Sequence, residues 1–229
     1  MDLGASSSKY RDPYIITLEA GPLATRCYIV HADNSNKSII IDAPLDSTDK
    51  FMYHIKKNNL DVKMILLTHS HWDHSADAPK LREITDAAIF VNKLDEYRLL
   101  EPNENSIVPL DFELTPFKPD FYLQDDMDIV YGDANSFEVV CTPGHTEGSV
   151  CFVERIEKVI FTGDTLFKNS IGRYDFPGGN YDDLMNSIKK KLLRYSDEFV
   201  IYPGHGMRTT IGEERKNNPF LDFSNEKVL

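Results

Sequence analysis

No apolar run in this sequence is long enough to cross a bilayer, which takes about 20 residues in a helix. Residues 1–13 are polar and serine-rich, with neither the apolar core of a secretory signal nor the arginine-rich character of a transit peptide. They are expected to form a disordered tail on a cytoplasmic protein that has no membrane partner. Cysteine is scarce: Cys27, Cys141 and Cys151 each sit in an apolar, strand-like run. An odd number in such settings excludes a disulfide framework and implies a reducing compartment, with the thiols acting as small buried hydrophobes. Basic charge is in deficit, with 25 Lys and Arg against 37 Asp and Glu and a net charge of -12. That removes nucleic acid from the expected partners, because binding it takes a basic footprint. The remaining composition is that of an ordinary globular protein, and residues 14–229 are read as a single domain with a substantial core.

Histidine is also sparse, at seven residues, but it is unevenly placed. Three fall in the stretch Thr68-His69-Ser70-His71-Trp72-Asp73-His74. An apolar run, Met64-Ile65-Leu66-Leu67, precedes it and a helix-like run from Ser75 follows, so the stretch reads as a loop at the end of a buried strand. Alternate side chains of an extended segment face the same way, so His69 and His71 can share one ion. Asp73 and His74 fall where the chain turns into the helix and can face a second point nearby. Imidazole and carboxylate suit zinc, iron and manganese.

The same pattern recurs downstream. Phe137 to Cys141 leads into Thr142-Pro143-Gly144-His145, Lys158 to Phe161 into Thr162-Gly163-Asp164, and Phe199 to Tyr202 into Pro203-Gly204-His205-Gly206. Each is an apolar strand that ends in turn residues and a side chain able to bind metal. If these strands run in the same direction, their ends gather at one edge, and five of the seven histidines lie there.

The other elements are expected in this order. Strands cover 14–19, 25–31 and 38–42, with a hairpin loop at 33–37. A helix capped by Ser47 or Thr48 runs to about Asn59, and another spans 75–86. A strand over 87–91 and a short helix over 94–100 follow. Residues 101–125 contain four prolines and no clean period, and are read as a lid or partner-contact segment whose aromatics are Phe112, Phe117, Phe121 and Tyr122. After a glycine-rich loop at 171–179, a helix capped by Asn180 or Asp182 runs to about Arg194, and a last one spans 209–216.

The motif His-x-His-x-Asp-His at 69–74, followed by His145, Asp164 and His205, resembles that of the metallo-β-lactamase-fold hydrolases. Thr-Pro-Gly-His-Thr-Glu-Gly-Ser at 142–149, Gly-Asp-Thr-Leu-Phe at 163–167 and Gly-Arg-Tyr-Asp-Phe-Pro-Gly-Gly at 172–179 resemble the glyoxalase II (hydroxyacylglutathione hydrolase) branch. So do Tyr-Pro-Gly-His-Gly, Thr-Ile-Gly-Glu-Glu-Arg and Asn-Pro-Phe near the end of the chain. The likeness is to the short form lacking the C-terminal helical domain that helps hold glutathione.

The resemblance implies an α+β fold, a four-layer αββα sandwich with a dinuclear site at one edge of its two central sheets. It implies two divalent metal ions per chain, zinc foremost, with iron or manganese as alternatives. His69, His71 and His145 would form site one, Asp73, His74 and His205 site two, and Asp164 the bridge. Two such ions about 3.5–4 Å apart can hold a hydroxide that attacks an acyl carbonyl. Asp73 would orient that nucleophile, and Arg173 would hold a substrate carboxylate. Asp175 stands where the full-length enzymes offer an aromatic residue. The expected activity is hydrolysis of a small-molecule thioester such as a hydroxyacylglutathione, by a monomer or homodimer. Two alternatives share the scaffold: a lactonase, and a persulfide dioxygenase using one iron on His69, His145 and Asp164.

Overall fold

Ile39, Ile40 and Ile41 are consecutive and all fully buried, which requires a strand covered on both faces. The computed structural model, which describes residues 14–31, 35–106, 108–132 and 135–221, shows how this is met. Ile39 and Ile41 point into one core and Ile40 into another. The expected tail at 1–13 and part of the hairpin loop at 33–37 lie outside the described residues.

The first half of the chain builds β1 (Tyr14–Ala20), β2 (Thr25–His31), β3 (Lys37–Ile41), α1 (Thr48–Lys57), β4 (Asp61–Leu66), α2 (Trp72–Ser75), α3 (Ala78–Thr85), β5 (Ala88–Asn92), α4 (Glu96–Leu100) and β6 (Phe121–Leu123). These strands form one six-stranded sheet in the order β1-β2-β3-β4-β5-β6, antiparallel at its start and parallel from β3 onward. The second half builds β7 (Asp128–Val130), β8 (Ser136–Cys141), β9 (Val150–Glu154), β10 (Val159–Gly163), a small hairpin of β11 (Leu166–Phe167) and β12 (Ser170–Ile171), α5 (Tyr181–Asn186), β13 (Val200–Pro203), β14 (Thr209–Thr210) and α6 (Ile211–Asn217). Its sheet runs β14-β13-β10-β9-β8-β7.

Alternation along the strands separates three cores. Phe51, Ile55 and Leu81, from α1 and α3, pack on Ile29, Ile40, Ile65 and Ile89 outside the first sheet. Tyr28, Ile39, Ile41 and Phe90 meet Phe137, Val139, Phe152 and Phe161 between the sheets. Leu184, Ile188, Leu192 and Ile211 cover Val140, Cys151, Ile160 and Ile201 outside the second sheet. Three cores between four layers make the α+β sandwich αββα.

Several elements differ from the sequence expectation. The helix expected over 75–86 starts earlier and breaks in two, because Asp77 turns its carboxylate onto the amide and hydroxyl of Thr48 (2.9 and 2.7 Å). The segment 101–125 contains β6, which pairs in parallel with β5. Strand β9 is marked in the sequence only by the strand-like run around Cys151, because both its faces are buried, leaving a continuous apolar run without alternation. The helix expected over 180–194 is α-helical only to Asn186 and continues as wider π turns over Ser187–Leu192. Its start is capped as expected, with the Asn180 side chain accepting from the Asp183 amide. α6 is likewise capped, by Thr210 on the Glu213 amide.

Candidate metal centre

Strands β10 and β13 are parallel, and β9 runs antiparallel to both β8 and β10, so β8, β10 and β13 all point the same way. His145, Asp164 and His205 therefore emerge at one edge of the second sheet. The loop after β4 brings His69 and His71 to them, and α2 presents Asp73 and His74 from its first turn. All seven side chains named from the sequence meet there.

Their donor atoms fall into three overlapping sets, each with its atoms within 4.8 Å of one another: His69, His71 and His145; His69, His74 and Asp164; and Asp73, His74 and His205. Asp164 reaches across them. Its Oδ1 is 3.3 Å from His74 Nε2, and its Oδ2 is 3.5 Å from His205 Nε2 and 3.7 Å from His145 Nε2. Buried polar atoms normally find a partner. Here His69 Nε2, His71 Nε2 and Asp164 Oδ1 are buried without a hydrogen bond among the described residues. His71 turns its other nitrogen inward, with Nδ1 2.9 Å from His145 Nε2, and imidazole and carboxylate donors converging in this way fit divalent ions.

The outer nitrogens of three histidines are already occupied, which fixes how each ring faces. His74 Nδ1 lies 2.8 Å from Asp42 Oδ2. Thr68 Oγ1 donates to the same carboxylate and sits 3.1 Å from His69 Nδ1. His145 Nδ1 is 2.6 Å from the Arg173 carbonyl. In each case the outer nitrogen is engaged, so Nε2 is the nitrogen turned toward the centre. Asp73 is held by Thr25 Oγ1, which donates to its Oδ2 at 3.1 Å.

Charge divides the centre in two. Burial, reinforced by the His74 and His145 imidazoles, pushes His69 well below the ordinary histidine range. Burial and His145 bring His71 down to about 3. These rings are neutral and ready to ligate. The second group behaves oppositely. Burial opposes charge on His74, but Asp164, Asp73 and Asp42 outweigh it and hold the ring well above its usual range. Burial also opposes charge on His205, and its hydrogen bonds to Asp164 and Asp73 raise it to about 9. Burial acts against ionisation of Asp164 and Asp73 too; the His74 and His205 charges overcome it and lower both. Without metal, this half of the centre is a cluster of imidazolium and carboxylate, in which metal ions would take the place of protons.

Glycines make room for the approach. A Cβ on Gly204 would collide with Asp164 Oδ1 and come within 2.6 Å of His74 Cε1. One on Gly144, at φ +136°, would strike the backbone of Leu184 at the start of α5.

Arg173 is placed differently from the ligands. Its guanidinium is exposed, pairs with Asp175 through Nε and Nη2 (2.6 and 3.1 Å), and lies 3.9 Å from the Phe176 ring centroid. Phe176 in turn presents its ring edge-to-face to His71 at 6.2 Å. Of the four aromatics in the segment 101–125, Phe117 belongs to the core, Phe121 stacks on Phe90, and Tyr122 bonds Glu96 and Lys93. Phe112 instead packs on Trp72, between His71 and Asp73 in sequence.

Asp42, Thr68, Thr25 and Asp95 support the centre and were not singled out from sequence. Asp42 carried a usable signal: it follows the buried Ile39-Ile40-Ile41 run as the other ligand loops follow theirs, and its φ of 59° turns the chain there. The three cysteines are free, with no pairing among the described residues. No helix of the described residues is long and apolar enough to cross a membrane.

Comparison with known proteins agrees with this geometry. The chain is 37% identical over 200 residues to hydroxyacylglutathione hydrolase GloC of Haemophilus influenzae, covering 86% of this chain and 92% of that one. The crystal structure of the BLEG-1 B3 metallo-beta-lactamase superposes with a TM-score of 0.83 at 30% identity, over 91% of this chain and 100% of that one. TTHA1623, solved in a di-iron-bound form, superposes with a TM-score of 0.75 at 32% identity, over 90% and 100% of the two chains. The family model of the metallo-beta-lactamase superfamily matches residues 20–205, and with this fold and this donor cluster the chain belongs to that superfamily.

Proposed function

We propose that this metallo-hydrolase cleaves a thioester of the hydroxyacylglutathione class, using two divalent ions, zinc foremost. The observation that carries the reading is the overlapping donor sets that Asp164 reaches across, with His69 Nε2 and Asp164 Oδ1 buried there without a partner among the described residues. The likeness to GloC favours a thioester over a lactone or a β-lactam. His69, His71 and His145 would hold one ion, Asp73, His74 and His205 the other, with Asp164 between them. Ions held there would acidify a water toward a pKa of about 7 and polarise an acyl carbonyl.

The rest of the work falls to the chain. Asp42, Thr68 and the Arg173 carbonyl keep Nε2 of His74, His69 and His145 facing inward. Asp73, fixed by Thr25, stands at the edge of the second set, where its low-pKa carboxylate orients the attacking water. Phe176 flanks His71 and forms an apolar wall for the acyl group. Arg173 takes a substrate carboxylate by exchanging it for Asp175, both groups being exposed.

Asp164→Ala tests the reading. Thioester hydrolysis should fall by at least about 10³-fold, because the ions that would polarise the carbonyl lose the carboxylate held between them. A metal-loaded variant with undiminished activity would overturn it. Parallel assays with a β-lactam and a lactone separate those substrates from the thioester.

A second reading places one iron on His69, His145 and Asp164, a two-His-one-carboxylate face suited to oxygen chemistry. The 3.7 Å between His145 Nε2 and Asp164 Oδ2 keeps that set available. One iron per chain, with oxygen uptake on a persulfide and no thioester cleavage, would favour it.

A further inference from the structure

Asp95 is fully buried, yet it lies outside the metal centre, between β5 and α4. Five donors converge on its carboxylate. Oδ2 accepts from the Ser70 amide (2.7 Å), Ser70 Oγ (2.9 Å) and Thr146 Oγ1 (3.0 Å). Oδ1 accepts from the Gly148 amide (2.8 Å) and Arg98 Nη1 (3.3 Å). Arg98 is itself only 4% exposed. Its Nη2 donates to Glu147 Oε2 (2.7 Å) and to the Pro177 carbonyl (2.9 Å).

These contacts are not scattered. Ser70 sits between His69 and His71. Thr146, Glu147 and Gly148 follow His145. Pro177 follows Phe176, the ring that faces His71. One buried ion pair thus ties together the three loops around the first donor set, and touches no metal-facing atom itself. The glycines confirm how closely the loops are drawn in. A Cβ on Gly148 would come within 2.6 Å of Asp95 Oδ1, and one on Gly178, at φ +88°, would collide with Arg98 Nη2 and Glu147.

Burying an ion pair carries a desolvation cost that can exceed the attraction gained, so it is weak evidence of stabilisation. An apolar plug would fill this space at less cost, but it could not fix the Ser70 and Gly148 amides relative to each other. We propose that Asp95 and Arg98 are a positioning pair that sets the spacing of His69 and His71 against His145, and so the affinity of that set for its ion. The inference rests on the metal centre and is independent of which substrate is cleaved.

The carboxylate is needed as an acceptor on both oxygens. In Asp95→Asn, the amide must face either Ser70 and Thr146 or Gly148 and Arg98, and in each orientation a donor meets a donor. The measurement is Co²⁺ titration of protein stripped by chelation, followed by visible absorbance. A His205→Ala background leaves His69, His71 and His145 as the intact triad, so the binding read is theirs. Asp95→Asn should weaken Co²⁺ binding there by roughly 10–100-fold, the usual cost of losing a residue that orients metal ligands. Loss of thermal stability with Co²⁺ affinity unchanged within about twofold would make the pair purely structural and overturn the proposal. Should Asp95→Asn not fold, Thr146→Val removes one donor and keeps the carboxylate. It should weaken Co²⁺ binding by at least about threefold, and an unchanged affinity would be equally fatal. A protein that shows this affinity loss but cleaves no thioester would refute the substrate reading and leave the positioning pair standing.

Discussion

At the scale of single residues, the centre's two halves are set apart by protonation. His71, held near 3, has no proton to lose between pH 5 and 8, whereas His205, raised to about 9, must release one when it ligates. Binding at the Asp73, His74 and His205 set should therefore weaken as pH falls below about 9, by up to about tenfold per pH unit for each proton displaced. His69 and His71, both held low, should release no proton on binding over the same range. Calorimetric Zn²⁺ titrations in buffers of different ionisation heat would show it, and equal proton release at both steps would contradict it. The same shifts act on the metal-free protein with opposite signs. The raised His205 contributes stability below its ordinary value of 6.5 that is lost as pH climbs through about 9. The depressed His71 contributes stability that is lost as pH falls from 6.5 toward 3. The melting temperature of the stripped protein should peak near 6.5, and a maximum above 8 would contradict these assignments. The ligands themselves were legible in the sequence because histidine is rare here and concentrated after apolar strands. Asp42, Thr25 and Asp95 were not, because an Asp or Thr in a loop has many ordinary uses and only the folded contacts reveal what each one holds. Gly204 is another such residue: Gly204→Ala should expel the ion beside Asp164 and His74 while the protein stays folded, which elemental analysis would detect.

At the scale of elements, apolar periodicity located most of the strands, and the misses have physical causes. Strand β9, buried on both faces, shows no alternation, so only the apolar run around Cys151 marks it and its bounds stay unread. The break between α2 and α3 comes from a contact 29 residues away in the chain, the Asp77 carboxylate on Thr48. Strand β6 is only three residues long and depends on β5 for its pairing, so the four prolines before it outweighed it in the sequence. The loop between β8 and β9 is where an element meets the centre most tightly. Gly144→Ala would push a methyl group into the α5 backbone from a left-handed conformation, so the His145 loop and α5 would have to separate. A loss of about 3 kcal/mol or more is expected from urea unfolding, together with weakened metal binding at the first set. A shift under about 0.5 kcal/mol would show that the loop accommodates the methyl group.

At the scale of the whole molecule, the sandwich follows from strands that bury both faces, and the centre from directing their ends to one edge. The layered architecture was legible through the family likeness more than through periodicity, because alternation shows that two faces differ, not what covers each. The middle core is the joint that holds the two sheets, and thus the two groups of ligand loops, in register. Phe161 lies at its heart, fully buried, edge-on to Tyr28 and Phe137 and stacked on Tyr202. Phe161→Ala should cost about 3–5 kcal/mol, read by chemical denaturation, and a cost below about 1 kcal/mol would mean that the sheets repack around the gap. The central claim is that the loops from both sheets meet in one centre with room for two ions. Elemental analysis of the protein purified without added metal tests it most directly. About two metal ions per chain, falling to about one in His205→Ala, is the result predicted here. A single ion per chain in both proteins would contradict it.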